Sequence, residues 1–303
     1  MLDRLIGNYL VERGMLTKSQ LIEVYKEQEF NRAKLGVIAV AEKLMTIAQA
    51  EQVNMLQSTM DRRFGDIAIE KGYLSQAQVS RLLELQGNAY LAFLQAIVDK
   101  DYLSMEQLEA AEAEYQKAHG FTESDLAALK TGEVEQAVPI FLNTANPSYR
   151  SMFTMGIKNM YRLVDNHLYL GKAYTVDHVR DEVIGFQKFT GDRTATVAIS
   201  GKYEDVQKMA VCYTKEEFID TREDALDATC ELINCINGLY ATEQSRDDIK
   251  IELEPPEFKV SFTDARCDEM MVLPVFTCGG EIKYIIAVSN DISLGKRASE
   301  AEI

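Results

Sequence analysis

Four residues in the last third of the chain have types and a spacing suited to chemistry. Asp227, Glu231, Asn234 and Gly238 follow one another at intervals of four, three and four. At about 100° per residue they fall within roughly 60° of each other on a helix, forming one narrow polar stripe. The stripe ends in a glycine, where the missing side chain lets another backbone come close. Leu226, Cys230, Ile233 and Tyr240 lie about 100° round the helix and make its buried side. A carboxylate and a carboxamide one turn apart on an open face can grip a partner and orient a water molecule. The plainer reading is a solvated face, with Asp227 an i,i+4 neighbour of Glu231 and no chemistry. Asn237, on the apolar side, reads as a buried structural amide, and Cys230 and Cys235 as small core residues.

Composition narrows what such a stripe could serve. The chain has 303 residues, 47% hydrophobic, enough for two domains with full cores. A formal net charge of −16 argues against nucleic acid or an anionic membrane as a partner held by general electrostatics. The five cysteines, Cys212, Cys230, Cys235, Cys267 and Cys278, are odd in number and include no Cys-x-x-Cys pair. Neither a disulfide framework nor a zinc site is therefore expected. His119, His167 and His178 are scattered without metal-ligand spacing, and no Ser–His or Cys–His constellation supplies a nucleophile. The opening Met1-Leu-Asp-Arg-Leu-Ile-Gly7 has neither a signal peptide's layout nor a transmembrane run, so a reduced, cytoplasmic protein is expected.

The elements that must position the stripe belong to the second of two halves. No proline occurs before Pro139, and the first half is rich in Gln, Glu, Ala and Leu, the composition of packed helices. The second half brings β-branched alternation, as in Thr194-Ala-Thr-Val-Ala-Ile-Ser200. The boundary is placed near 130–145, giving domains 1–138 and 139–303. In the second, a helix is predicted over 146–163, strands at 167–175, 181–190 and 193–200, helices at 203–212 and 221–241, and strands at 247–253, 257–263, 269–277 and 281–289. Cys278-Gly279-Gly280 signals a hairpin, and Pro274 demotes its strand to an edge or a bulge. The expected fold is α+β: all-α N-terminal repeats followed by a domain with an antiparallel sheet.

The first half repeats. Thr17, Thr46, Ser75 and Ser104 recur every 29 residues, each followed three residues on by Gln (Gln20, Gln49, Gln78, Gln107). This is a capping box, which starts a helix. Gly7, Gly36 and Gly65 stand ten residues upstream of the first three, and Leu94 fills the fourth slot. Each unit reads as a short helix, a turn and a longer capped helix. With Lys34-Leu35-Gly36 and Arg63-Phe64-Gly65 opening the second and third units, the segment resembles the MshEN family of secretion and pilus ATPases. In that family two tandem motifs bind cyclic di-GMP through the opening Arg, the glycine backbone and apolar stacking. The resemblance makes Lys34, Leu35, Gly36, Arg63, Phe64 and Gly65 the nucleotide-binding candidates here. Lys34 departs from the pattern, because lysine cannot make the bidentate contacts of arginine, and Leu5 replaces the basic residue altogether in the first unit. The other reading of the same residues is turn and core positions of a repeat used for docking a protein.

The order of elements after 146, with Glu231-Leu-Ile-Asn234-x-x-x-Gly238 on the long helix, resembles the CheC/CheX/FliY family of chemotaxis phosphatases. Val183-Ile-Gly-Phe-x-x-Phe-Thr-Gly191-Asp192 upstream and Ile249-x-Ile-x-Leu-x-Pro255-Pro256 downstream agree with it. The resemblance covers roughly 146–290. CheC and FliY carry two such motifs, whereas helix 146–163 offers Ser151, Lys158 and Asn159 with no Glu three residues before an Asn, so the chain looks like CheX, whose members form homodimers. The resemblance implies a substrate, the phosphoaspartate of a response-regulator receiver, and roles: Asn234 holds the attacking water, Glu231 pairs with the receiver's lysine, and Asp227 and Gly238 support docking. Mg²⁺ would sit on the receiver, with no metal or cofactor in this chain. The alternatives are a domain that docks a receiver without turnover beside a cyclic di-GMP sensor, or a structural scaffold.

Overall fold

The computed structural model describes residues 1–60, 62–215, 219–261, 264–289 and 291–295. It divides into two compact units, Met1–Gly132 and Glu133–Ile303. The division falls a few residues before the 138/139 boundary read from the sequence. Gly132, at φ +76°, caps one helix, and the helix that holds Pro139 already belongs to the second unit.

The first unit is helical throughout: α1 (Leu2–Glu12), α2 (Lys18–Phe30), α3 (Leu35–Ala41), α4 (Ile47–Thr59), α5 (Phe64–Glu70), α6 (Gln76–Glu84), α7 (Ala89–Asp99), α8 (Met105–His119) and α9 (Glu123–Thr131). Thr17, Thr46, Ser75 and Ser104 each close a full capping box with the Gln three residues on. The turns before these caps pass through left-handed backbone at Gly14, Lys43, Gly72 and Asp101, in the same register. Two of the four therefore take a conformation that favours glycine without having it. The glycines of the short helices are places of close approach. A Cβ on Gly36 would stand 3.2 Å from the Phe64 ring, and one on Gly65 2.8 Å from Val79. α7, where Leu94 fills that slot, is buried almost all round and forms the heart of the unit.

The second unit opens with α10 (Val134–Leu142) and α11 (Pro147–Leu163). α10 falls within the 130–145 segment where the sequence places the domain boundary, and it runs past Pro139 to end at Asn143, φ +44°. There follow β1 (Tyr169–Leu170), β2 (Tyr174–Val179), β3 (Val183–Gly191), β4 (Ala195–Gly201), α12 (Tyr203–Thr214), α13 (Arg222–Gln244), β5 (Ile251–Leu253), β6 (Glu257–Lys259), β7 (Ala265–Thr277), β8 (Gly280–Val288) and β9 (Ser293–Leu294). The sheet runs β1-β7-β8-β4-β3-β5, with β2 and β9 also on β7 and β6 also on β3, and these pairs are antiparallel. The fold is thus α+β, helices first and an antiparallel sheet after, as expected.

Several details differ from the sequence reading. The single strand expected at 167–175 is two, β1 and β2, parted where the Gly171 N–H donates to the Pro274 carbonyl at 2.9 Å. Pro274 does not put β7 at the edge, since β7 pairs with β8 on one side and with β1 and β2 on the other. Instead, the missing N–H of Pro274 faces the interruption between β1 and β2, where the ladder asks for no donor. The strand expected at 247–253 begins only at Ile251, after a short 3₁₀ turn and left-handed Asp248. β6 stops at Lys259; Phe262 and Thr263 lie outside the described residues. The expectation of unlinked cysteines fails for one pair: Cys212, in the last turn of α12, is disulfide-bonded to Cys278 in the β7–β8 turn. No described helix is long and apolar enough to cross a membrane.

Register assigns the sheet's two faces. Phe186, Ala198, Ile285 and Val272 lie in one cross-strand row and belong to an apolar layer with Ile184, Met270 and Ala287. The adjacent rows, Gly185–Ile199–Tyr284–Leu273 and Gln187–Val197–Ile286–Met271, are displaced by an odd number of residues. Side chains alternate along a strand, so Gly185 and Gln187 share the opposite face. That face carries α13, because a Cβ on Gly185 would stand 3.3 Å from Cys230 Sγ and from Thr229 Cγ2.

Candidate functional site

α13 starts where Thr221 Oγ1 accepts the Asp224 N–H at 3.1 Å, with Glu223 and Asp224 placed favourably for the helix dipole. Its inner face is apolar: Leu226, Cys230, Ile233 and Tyr240 are buried, as the periodicity requires. Asp227, Glu231 and Asn234 are exposed along the outer face. An added Cβ on Gly238 would meet nothing within 4 Å, so the stripe ends in open space. The structure thus brings the four stripe residues together on one accessible surface.

The two carboxylates of the stripe, Asp227 and Glu231, are exposed and form no ion pair among the described residues. Tyr213 of α12 lies close to Glu231: burial pushes its hydroxyl pKa up, and the neighbouring Cys235 and Glu231 add to the effect. Beneath the stripe, burial pushes the Cys230 thiol up to about 11. Its Sγ–H donates to the Glu257 carbonyl at 3.3 Å.

Asn234 is not simply exposed. Its Oδ1 accepts a hydrogen bond from Gln187 Nε2 at 2.7 Å. Gln187, on β3, is only 1% exposed. Gln187 Nε2 also donates to the Glu254 carbonyl at 2.8 Å, and its Oε1 accepts from Asn237 Nδ2 at 2.9 Å. Asn237 is the buried amide expected from its place on the apolar side, and Gln187 is its partner. Sequence reasoning missed Gln187. The available signal was parity: Val183, Gly185, Gln187 and Phe189 share one face of β3, and a lone amide among inward positions must be matched by another polar group.

No second stripe is built on α11. Asn159 is buried, donating through Nδ2 to the Met155 carbonyl at 2.8 Å and accepting from Arg162 at 3.3 Å. Lys158 is paired with Glu135. In the first unit, Lys34 and Arg63 are exposed at the starts of α3 and α5, Leu35 is half-buried, and Phe64 is buried against Gly36. Gly65 is covered by Val79. Lys34 is tied to α7, its N–H donating to Gln95 Oε1 at 2.9 Å and its Nζ to Asp99 Oδ1 at 2.7 Å. Among the described residues no group of three His, Cys, Asp or Glu could hold a metal ion.

Residues 183–262 match the family model for the chemotaxis phosphatase CheX. The matched segment contains the whole stripe, Gln187, Asn237 and Glu254. No curated protein matches the chain. Among solved structures it is similar to the chemotaxis protein CheX of Desulfovibrio desulfuricans, at 14% identity over 46% of this chain and 97% of that one, with a TM-score of 0.40. It is also similar to the CheX–CheY–BeF3–Mg²⁺ complex of Borrelia burgdorferi, at 16% identity over 49% and 97%, with a TM-score of 0.38. A third similar structure is FliY of Thermotoga maritima, at 14% identity over 46% and 84%, with a TM-score of 0.33.

Proposed function

Starting from the CheX-family domain at 183–262, we propose that the second unit hydrolyses the phosphoaspartate of a response-regulator receiver in two-component signalling. The observation that supports this most is the pairing, on one exposed turn of α13, of the Glu231 carboxylate, which forms no ion pair among the described residues, with an oriented carboxamide at Asn234.

An acyl phosphate is reactive enough that positioning a water in line with the scissile bond supplies most of the catalysis. In this reading Glu231 forms a charge-assisted bond to the receiver's active-site lysine, fixing the register of docking. Asn234 then holds a water against phosphorus. The water oxygen bonds to phosphorus as the bond to the aspartyl oxygen breaks; the receiver regains its carboxylate, phosphate leaves, and the water's proton passes to phosphate or solvent. Asp227 adds negative potential beside the docking face, and Gly238 gives the receiver's backbone room. Mg²⁺ belongs to the receiver in this scheme, a homodimer to its assembly, and the cytoplasm to its setting.

Asn234→Ala is the test. It is expected to lower stimulated dephosphorylation of a phosphorylated receiver by about 100-fold or more. The circular dichroism and the affinity for the receiver are expected to stay near wild type. A fully active variant overturns the assignment.

A second reading concerns the first unit. Lys34 and Arg63, exposed at the starts of successive short helices, support a site for cyclic di-GMP on this surface.

A further inference from the structure

The geometry points to Gln187 as a positioning residue that decides which end of the Asn234 carboxamide faces a bound substrate; the inference rests on the role proposed for Asn234. One of the three groups bonded to Gln187 cannot change its character. The Glu254 carbonyl is an acceptor only, so the end of Gln187 that meets it at 2.8 Å must be the amide nitrogen. That carbonyl is itself held: Pro255 restricts Glu254 to extended backbone, and the Glu254 N–H donates to the Lys188 carbonyl at 2.9 Å. With Nε2 so directed, its second hydrogen reaches Asn234 and obliges Asn234 to turn Oδ1 inward. The Gln187 Oε1 end is closed by Asn237 Nδ2.

Turning Gln187 over would set Oε1 against the Glu254 carbonyl and Asn234 Oδ1, and Nε2 against Asn237 Nδ2. Three bonds at a buried site would become three repulsive contacts. The orientation is therefore fixed before any partner arrives, which is the condition under which a hydrogen-bonding group contributes most to a transition state. Asn234 presents the two N–H donors of Nδ2 outward, and these make no bond to the described residues. An outward donor suits the lone pair of a nucleophilic water or a phosphoryl oxygen. The glutamine beneath α13 thus passes orientation from the Glu254 carbonyl to the Asn234 carboxamide through a single nitrogen.

The test separates this inference from the phosphatase reading. In ¹⁵N relaxation on the free protein, the Asn234 side-chain amide is expected to be ordered in the wild type and mobile in Gln187→Met, with the backbone spectrum otherwise preserved. In turnover of a phosphorylated receiver, Gln187→Met is expected to lower kcat about 10- to 100-fold with KM near wild type. The same substitution added to Asn234→Ala should cost nothing further. An Asn234 amide that is equally ordered with and without Gln187 overturns the inference, as does a double variant in which the two losses multiply. A wild-type protein inactive on every phosphorylated receiver, yet with the ordered amide lost in Gln187→Met, overturns the phosphatase reading and sustains this one. Should Gln187→Met not fold, Gln187→Glu decides: a carboxyl carries at most one hydrogen where Nε2 carries two, so it cannot serve the Glu254 carbonyl and Asn234 Oδ1 together, and the Asn234 side-chain amide signals and kcat should both depart from wild type. Asn234 amide signals unchanged from wild type in that variant overturn the inference.

Discussion

The Lys34 ammonium lies 2.7 Å from Asp99 Oδ1, and the same carboxylate oxygen accepts from Gln95 Nε2 at 2.9 Å. Lys34 is thereby tethered at both its backbone and its side chain to one turn of α7, while Arg63, its counterpart 29 residues on, makes no such bond among the described residues. The two basic residues of successive repeats are chemically unequal in the free protein. Any anion drawn to this surface meets Arg63 unopposed and Lys34 already neutralised.

On the cyclic di-GMP reading, Asp99→Asn releases Lys34 and is expected to tighten nucleotide binding about two- to five-fold, the equivalent of an exposed ion pair of roughly 0.5–1 kcal/mol. Arg63→Ala is expected to abolish it. Calorimetry at micromolar protein checks both, and no heat from wild type or either variant would sink the nucleotide reading.

Gly238→Ala separates fold from docking. The site has room for a methyl group, and replacing a mid-helix glycine with alanine should stabilise α13 by about 0.5–1 kcal/mol. The same methyl group stands on the surface assigned to the receiver, so KM is expected to rise. A denaturant melt and a turnover assay on one preparation should move in opposite senses.

Lys43→Gly tests whether the four turns share one backbone. Lys43 takes φ +56° in the register of Gly14 and Gly72. Relieving a left-handed lysine should stabilise the first unit by roughly 1 kcal/mol. Chemical denaturation followed by helical signal measures this; an unchanged or lower midpoint would mean the turn holds Lys43 without strain.

The buried Cys230 thiol predicts a sign for alkaline stability. Its pKa is raised from 9.0 to about 11, so the folded state holds its proton longer than the unfolded state. This contribution is complete below pH 9 and is lost as pH rises through 11, amounting to roughly 2–3 kcal/mol. Cys230→Ala should flatten the decline between these values in a pH series of melts. At neutral pH, Cys230 should also resist alkylation longer than the partly exposed Cys235.

Much of this architecture was legible because it is written in local spacing. A hydroxyl three residues before a glutamine satisfies helix N–H groups wherever it occurs, and the stripe of Asp227, Glu231, Asn234 and Gly238 needs only the pitch of a helix to come together. What escaped notice depends on contacts between distant segments. Gln187 and Asn234 are 47 residues apart, and only the strand's parity and the seating of α13 join them. Cys212 and Cys278, 66 residues apart, meet because α12 ends beside the β7–β8 turn. Lys43 and Asp101 adopt the glycine conformation because the repeat's geometry overrides the residue. Pro274 is tolerated next to the sheet's margin because its outer neighbour is broken there, a fact about β1 and β2 rather than about the proline.

The capping boxes also have a kinetic consequence. Each closes a loop of three residues, so the starts of α2, α4, α6 and α8 can form as soon as their own segments leave the ribosome. The sheet cannot: Tyr169 on β1 must wait for Phe276 on β7, and Tyr174 on β2 for Val272. During synthesis the helical repeats are therefore expected to be assembled while the sheet that seats α13 is still absent. The stripe on α13 acquires its oriented amide only once β3 and the segment around Glu254 have closed beneath it, so the order of Asn234 arrives last.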